Sequence, residues 1–491
     1  MVDPSDIKQS LGALVSAGPV EIRENGARLA SLEDFQYEVC AHGHSALLHL
    51  WGDGRTLTRR VLRIADRTTS LLLLEVECFG RSKPDRLEFS CGAFKPPIQL
   101  TREKFRERFA DLLREQFPDE EIVSLTTSAD LAHSLSTRYT RGIMRLRTEN
   151  WAVLAAAPGE SAAAIDDMLT FGLIWFRHSH TRVKSGRLAG LRLFLPEKMG
   201  EVIAHRARAL ANSITVEFYE ISPATGRSRR VDPAEIGNVV TWLTARREVE
   251  GVLSESALQI EPIRKLAAEA ITTSIVPGVR EVALRFRGAE FARWQNGAIF
   301  FGLGDHRRLL TTETRPALKQ LIVKLIACRH PAAKDTSHPL YRMQAERWLE
   351  AQVSADPSRV DARLDPRFLY AQVPASTAGD RGIVDLLGVT REGRLAILEL
   401  KADEDIHLAM QAADYWLRVR RHQQQDDIQR YGYFPGIELR PEPPLLFLVA
   451  PAIRFHPATG TLLSYLSRDI EVARVGLAEN WRRGLQVVLR Q

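Results

Sequence analysis

The segment Ile383–Lys401 reads IVDLLGVTREGRLAILELK. Two apolar runs flank Thr390-Arg391-Glu392-Gly393-Arg394, a polar turn with glycine inside it, which is the signature of a β-hairpin. Side chains alternate faces along a strand, so Glu399 and Lys401 point the same way. Asp385 interrupts the other apolar run, and a carboxylate in that setting needs a partner or a metal. Three charged groups are therefore expected at one end of the hairpin. Carboxylate oxygens with a backbone carbonyl suit a hard divalent cation, and a neighbouring ammonium suits developing negative charge.

Outward from the hairpin, apolar spacing predicts a helix over about 341–353 that contains QAERWLE, with Glu346 and, one turn on, Glu350. A second helix is expected over about 406–421. It carries Gln411 and Tyr415 in MQAADYW, an i,i+4 pair on one helix face. The strand LLFLVAP follows.

A glutamate on a leading helix, an aspartate at a hairpin start, Glu-x-Lys on its second strand and Gln-x-x-x-Tyr on the next helix form a known pattern. In this order they resemble the PD-(D/E)XK nuclease superfamily, RecB-like branch, across about residues 341–451. The resemblance implies a C-terminal restriction-endonuclease-like α/β/α domain with Asp385, Glu399 and Lys401 as its catalytic residues. It implies that Asp385 and Glu399 hold Mg²⁺ (or Mn²⁺), joined by the Leu400 carbonyl and by Glu346, with Glu350 competing for the last role. Lys401 would orient or activate water and meet the scissile phosphate; Gln411 and Tyr415 would position the nucleic acid. His407, one turn before Gln411, reads as structural. The implied activity is metal-dependent hydrolysis of phosphodiester bonds, with DNA ahead of RNA as partner. The rival reading is a nonenzymatic nucleic-acid-binding or scaffolding protein whose carboxylates brace the hairpin.

The rest of the 491-residue chain is too long for a single core. An α/β, multidomain chain is expected, divided into an N-terminal β-rich module (1–95), an α/β domain (96–225), an α+β connecting domain (226–335) and the nuclease-like domain (336–491). A helical segment is expected from Pro233 to about Leu253, and the polar stretch RHPAAKDTSHP from Arg329 reads as a linker. Sixty-seven basic against 61 acidic residues leave a net charge of +6, compatible with an anionic partner. Cys40, Cys78, Cys91 and Cys328 show no paired spacing, and His42, His44 and His49 have no cysteine or carboxylate at matching ligand spacing. The polar start MVDPSDIKQS and the short apolar runs predict a soluble cytoplasmic protein with no membrane partner.

Sliding the chain against itself reveals a repeat. At an offset of 244, Ala152–His178 overlays Ala396–His422 with six identities in 27 positions. LRLFLP takes the place of LLFLVAP. Ala155 falls on Glu399, Ala157 on Lys401, Asp167 on Gln411, and Arg145 on Asp385 once a shorter hairpin is allowed. The 96–225 region is thus expected to be a degenerate nuclease-like copy without metal ligands. Its Arg-rich clusters at 131–147 and 178–192 are candidates for holding a phosphate backbone.

Overall fold

The computed structural model describes residues 3–491 except 19, 26, 33–35, 43–44, 53–54, 78–83, 92–97, 223–224, 238, 242, 277, 305 and 375–382. Cys78, His44 and the Arg381-Gly382 pair before the hairpin lie outside the described residues, as do the side chains of His42 and a few others. The chain is a mixed α/β, multidomain protein. It divides into two compact units, Met1–Arg147 with Leu154–Glu160, and Thr148–Val153 with Ser161–Gln491. No helix among the described residues is long and apolar enough to cross a membrane.

The first unit opens with the helix Pro4–Ala17, capped by Asp3, whose carboxylate accepts the Ser5 amide at 2.8 Å. Ile7, Leu11 and Leu14 recur on one helical face and pack on a seven-stranded antiparallel sheet that runs between Val20 and Cys91. In the strand Leu71–Glu77 burial alternates with period two, Leu72, Leu74 and Val76 facing that core. The His49 ring sits 3.0 Å from the Thr58 hydroxyl, a strand-to-strand contact. Strands β1 (Glu121–Thr126) and β2 (Tyr139–Leu146) follow and pair antiparallel.

β2 corrects one part of the repeat. Arg145 is one residue from the end of its strand and faces Glu121, whereas Asp385 is the third residue of its own strand, far from the turn. Arg145 therefore does not stand in the place of Asp385. The Arg-rich clusters are also largely committed within the protein. Arg141 is buried and donates to the Ser136 and Ser128 carbonyls, and Arg192 is buried against Glu217 at 2.9 Å. Arg187 pairs with Glu149. The buried guanidinium groups of Arg141 and Arg192 are thus engaged internally, whereas Arg187 keeps an exposed side chain.

β3 (Glu149–Ala156) enters the second unit by its first half and ends with Ala155 and Ala156 buried. Then come α1 (Met168–Arg182), β4 (Arg187–Pro196), α2 (Glu201–Ala207), β5 (Thr215–Ile221) and β6 (Ser228–Val231). β4 and β5 are parallel, β5 and β6 antiparallel. The expected helix from Pro233 is broken. Asp232 caps a single turn to Ile236, the chain leaves the helix at Gly237, and a new helix runs Arg246–Arg264. A β-carbon at Gly237 would meet the Pro233 carbonyl oxygen at 2.6 Å, so the close approach of that turn requires glycine. A five-stranded antiparallel meander from Ile271 to Leu309 packs Phe286, Phe291 and Trp294 against that helix and the helix Arg315–Cys328.

The C-terminal region includes α3 (Ala345–Ala355), β7 (Leu364–Pro374), β8 (Ile383–Thr390), β9 (Leu395–Leu400), α4 (Leu408–Gln424), β10 (Leu445–Pro451), α5 (Thr459–Leu463), β11 (Val472–Leu477) and β12 (Val487–Arg490). The sheet order is β7-β8-β9-β10-β11-β12, antiparallel at both edges and parallel across β9-β10-β11. Every residue of β9 and β10 is buried, as strands covered on both faces must be. Leu398 and Leu400 pack with Trp348, Leu349 and Val353 of α3, while α4 lies against β9 and β10.

The polar stretch after Cys328 is not a loose linker. Arg329 is fully buried, and its guanidinium donates to the carbonyls of Arg287 (2.9 Å), Leu340 (2.6 Å), Met343 (2.5 Å) and Gln344 (3.3 Å). It also stacks 4.6 Å over the Trp348 ring. Close by, Gly288 holds φ +85°, and a β-carbon there would lie 2.2 Å from the Arg347 backbone carbon. We expect Gly288→Ala to destabilise the protein by roughly 3 kcal/mol, because strain and backbone overlap add. Urea unfolding measures it, and an unchanged midpoint would refute the contact.

Candidate active site

The hairpin forms as its sequence dictates. Leu386 faces Leu398 and Val389 faces Leu395 across β8 and β9, with Gly393 at φ +90° in the turn. Continuing that register sets Asp385 opposite Glu399. The Asp385 Oδ2 accepts the Leu400 backbone N–H at 3.0 Å, which ties the aspartate to the strand that carries Glu-x-Lys. Glu399 and Lys401, offset by one from Leu398 and Leu400, project to the opposite face from the α3 core.

Glu399 is the most confined charge of the group, with 1 % of its surface exposed. Its Oε2 has no hydrogen-bond partner among the described residues, and the Lys401 ammonium stands 3.9 Å from Oε1. Burial pushes its carboxyl well above the usual range, Asp385 and Glu346 push the same way, and Lys401 opposes them. Asp385 is also raised by burial, against the Leu400 N–H and the Arg347 and Lys401 charges. Burial alone would lower the Lys401 ammonium, but Glu399, Glu346 and Asp405 together raise it, with Asp405 at 3.1 Å. Lys401 is accordingly a fixed cation.

The two glutamates of α3 differ. Glu346 makes no hydrogen bond or ion pair among the described residues and keeps a solvent-open side chain, although burial of the carboxyl and Asp385 raise it while Lys401 lowers it. Glu350 is buried and engaged, accepting from Arg347 at 2.6 Å and from the Gln372 amide at 2.7 Å. Of the pair, Glu346 is the one with free oxygens beside Asp385 and Glu399.

Gln411 donates to the Tyr415 hydroxyl at 3.0 Å. Burial, followed by the Glu399 charge, pushes the Tyr415 phenol up to about 12, so it stays neutral beside the carboxylates. His407 turns away from the group, with its Nδ1 3.3 Å from Asp167 and its ring edge-on to Phe171.

Two members escape the sequence reading. Gln372 lies across from Asp385, between the paired residues Ala371–Leu386 and Val373–Val384, and bridges Glu350 and Asp385 at 2.7 and 3.4 Å. It is buried with φ +56°, a left-handed conformation that costs on the order of 1 kcal/mol for a non-glycine residue. A polar residue inside LYAQVP was the available signal, the same one that marked Asp385. Arg347, beside Glu346, holds Glu350 and adds positive charge near Asp385.

Burial pushes the Glu350 carboxyl up to about 7, against the pull of Arg347. A carboxyl raised in the folded state keeps its proton there after the unfolded chain has lost it, so stability falls as pH rises from about 4.5 through about 7. In the presence of a chelator, Glu350→Gln should match the parent at pH 5 and exceed it at pH 8 by up to about 3 kcal/mol, at 1.36 kcal/mol per unit. Urea unfolding at the two pH values measures it, and parallel curves would refute the assignment.

No family model matches the chain, and no curated protein is significantly similar to it. Among solved structures, a chain from "Structure of EndoMS-dsDNA2 complex" aligns with 11 % identity over 44 % of this chain and 94 % of that one, at a TM-score of 0.18. A score that low carries no argument about fold or activity.

Proposed function

We propose that residues 336–491 form a PD-(D/E)XK-type, divalent-metal-dependent nuclease that hydrolyses phosphodiester bonds in DNA. The supporting observation is Glu399: a buried carboxylate with an unpartnered oxygen, beside a second desolvated carboxylate, is stable as an anion only with a cation in contact. The donor set is all oxygen, which suits Mg²⁺ or Mn²⁺ and not a soft metal.

Asp385 and Glu399 would hold the ion, joined by the Leu400 carbonyl and by Glu346. When bound, such an ion polarises a phosphoryl oxygen and lowers the pKa of a coordinated water. Lys401, held cationic by three carboxylates, would orient water and meet negative charge that develops on the phosphate. Gln372 and the Leu400 N–H fix the orientation of Asp385. Gln411 and Tyr415 offer neutral polar groups to the substrate backbone. The thiols of Cys40, Cys91 and Cys328 are unpaired, which fits a cytoplasmic location.

The test is incubation of the full chain with plasmid, linear duplex, single-stranded DNA and RNA, with Mn²⁺ or with EDTA, beside Asp385→Ala. Metal-dependent cleavage lost in the variant supports the reading; binding without cleavage by either protein favours the nonenzymatic alternative. Lys401→Met should lose about a hundredfold or more in turnover, the scale of one electrostatic donor to the reacting phosphate. It should keep the thermal stabilisation by Mn²⁺, since the ligands remain. Full turnover in Lys401→Met would remove the residue from the mechanism.

A further inference from the structure

The two halves of the repeat meet within the second unit, and they meet reciprocally. α1 packs on α5, while α2 packs on α4, so the helix after the site hairpin in each half covers the next helix of the other. The Ala211 N–H donates to the Tyr465 carbonyl and the Ser467 N–H to the Ala209 carbonyl, both at 2.8 Å. Adding 256 to the residues of the first half exchanges one bond for the other, since 211 becomes 467 and 209 becomes 465. Leu210 and Leu466 form an antiparallel bridge between them. The sheets agree as well. Leu191 pairs with Val216 where Leu446 pairs with Val472, the same register at offsets of 255 and 256. These are the contacts of a two-fold dimer written into one chain.

Only one half carries ligands. Ala155 and Ala157 stand at the positions of Glu399 and Lys401, both buried, and Phe171 stands at that of Tyr415 without a hydroxyl. The strands of a DNA duplex are themselves related by two-fold axes, and a two-fold protein presents one equivalent surface to each strand.

Resting on the nuclease reading, we infer that this chain is an intramolecular pseudo-dimer with a single working centre, so that it incises one strand of a duplex per encounter. Water adds to phosphorus, the bond from phosphorus to one sugar oxygen breaks, and that oxygen leaves with a proton. The complementary strand stays whole.

Supercoiled plasmid separates the outcomes, with the full chain and Mn²⁺ at several enzyme concentrations. Open circles should replace the supercoiled form first, at a rate proportional to enzyme, and linear DNA should appear only after a second, independent cut. Linear DNA as the first product would overturn the single-centre inference and leave the nuclease reading intact. So would degradation of linear duplex with closed circles untouched. No cleavage of any substrate, with Asp385→Ala behaving as the parent, would overturn the nuclease reading and the inference with it.

Discussion

Replacing Glu399 by glutamine is expected to reduce cleavage by about three orders of magnitude, equivalent to about 4 kcal/mol of lost transition-state stabilisation. The same substitution should stabilise the metal-free protein at pH 8. The parent buries a carboxyl that is raised far above its unfolded value, so its stability falls as pH climbs past about 4.5, whereas an amide of the same shape has no such slope. Mn²⁺ should reverse the order. A ligand at a hundred times its Kd adds about 2.7 kcal/mol to a protein that binds it only when folded, and the variant should gain little of this. Thermal unfolding with chelator and with Mn²⁺ gives both comparisons. A variant that melts below the parent in chelator, or that gains as much from Mn²⁺, would contradict a cation site at Glu399.

The second large effect is expected at Arg329. Arg329→Ala should cost about 4 kcal/mol, because it deletes charge-assisted bonds to carbonyls from separate segments and leaves those oxygens buried without donors. Arg329→Lys should recover only part of the loss, since a single ammonium cannot span the carbonyls that the planar guanidinium reaches. Urea unfolding measures both. A loss under about 1 kcal/mol for the alanine variant would show that surrounding loops supply the cohesion.

The centre of the site was legible because its signals are local. Strand alternation sets Glu399 beside Lys401, the turn residues set the hairpin, and charge inside an apolar run marks Asp385. The α/β class and the antiparallel N-terminal module follow from the same periodicities. What escaped depends on distant contacts. Gln372 matters only because β7 lies antiparallel to β8 with a left-handed residue at that register, and Glu350 became distinguishable from Glu346 only through Gln372 and Arg347. The overlay of Arg145 on Asp385 fails because allowing a shorter hairpin fixes neither strand length nor register. The Arg-rich clusters were visible as charge, but their internal partners lie on neighbouring strands and loops. Arg329 looked like part of a polar connector because the carbonyls that hold it are contributed by chain segments up to 42 residues away.

The tight fit of Gly288 against the start of α3 bears on how this protein can change over generations. A graft of residues 336–491 into another protein would carry every proposed ligand yet leave behind the turn and the guanidinium that seat the helix holding Glu346. A portable piece therefore extends upstream past the helix Arg246–Arg264 and, because α4 and α5 pack on α2 and α1, includes those helices as well. Recombination that joins this region to new partners should preserve that longer block, and insertions should be tolerated in the outer turns of the meander before they are tolerated at Arg287-Gly288.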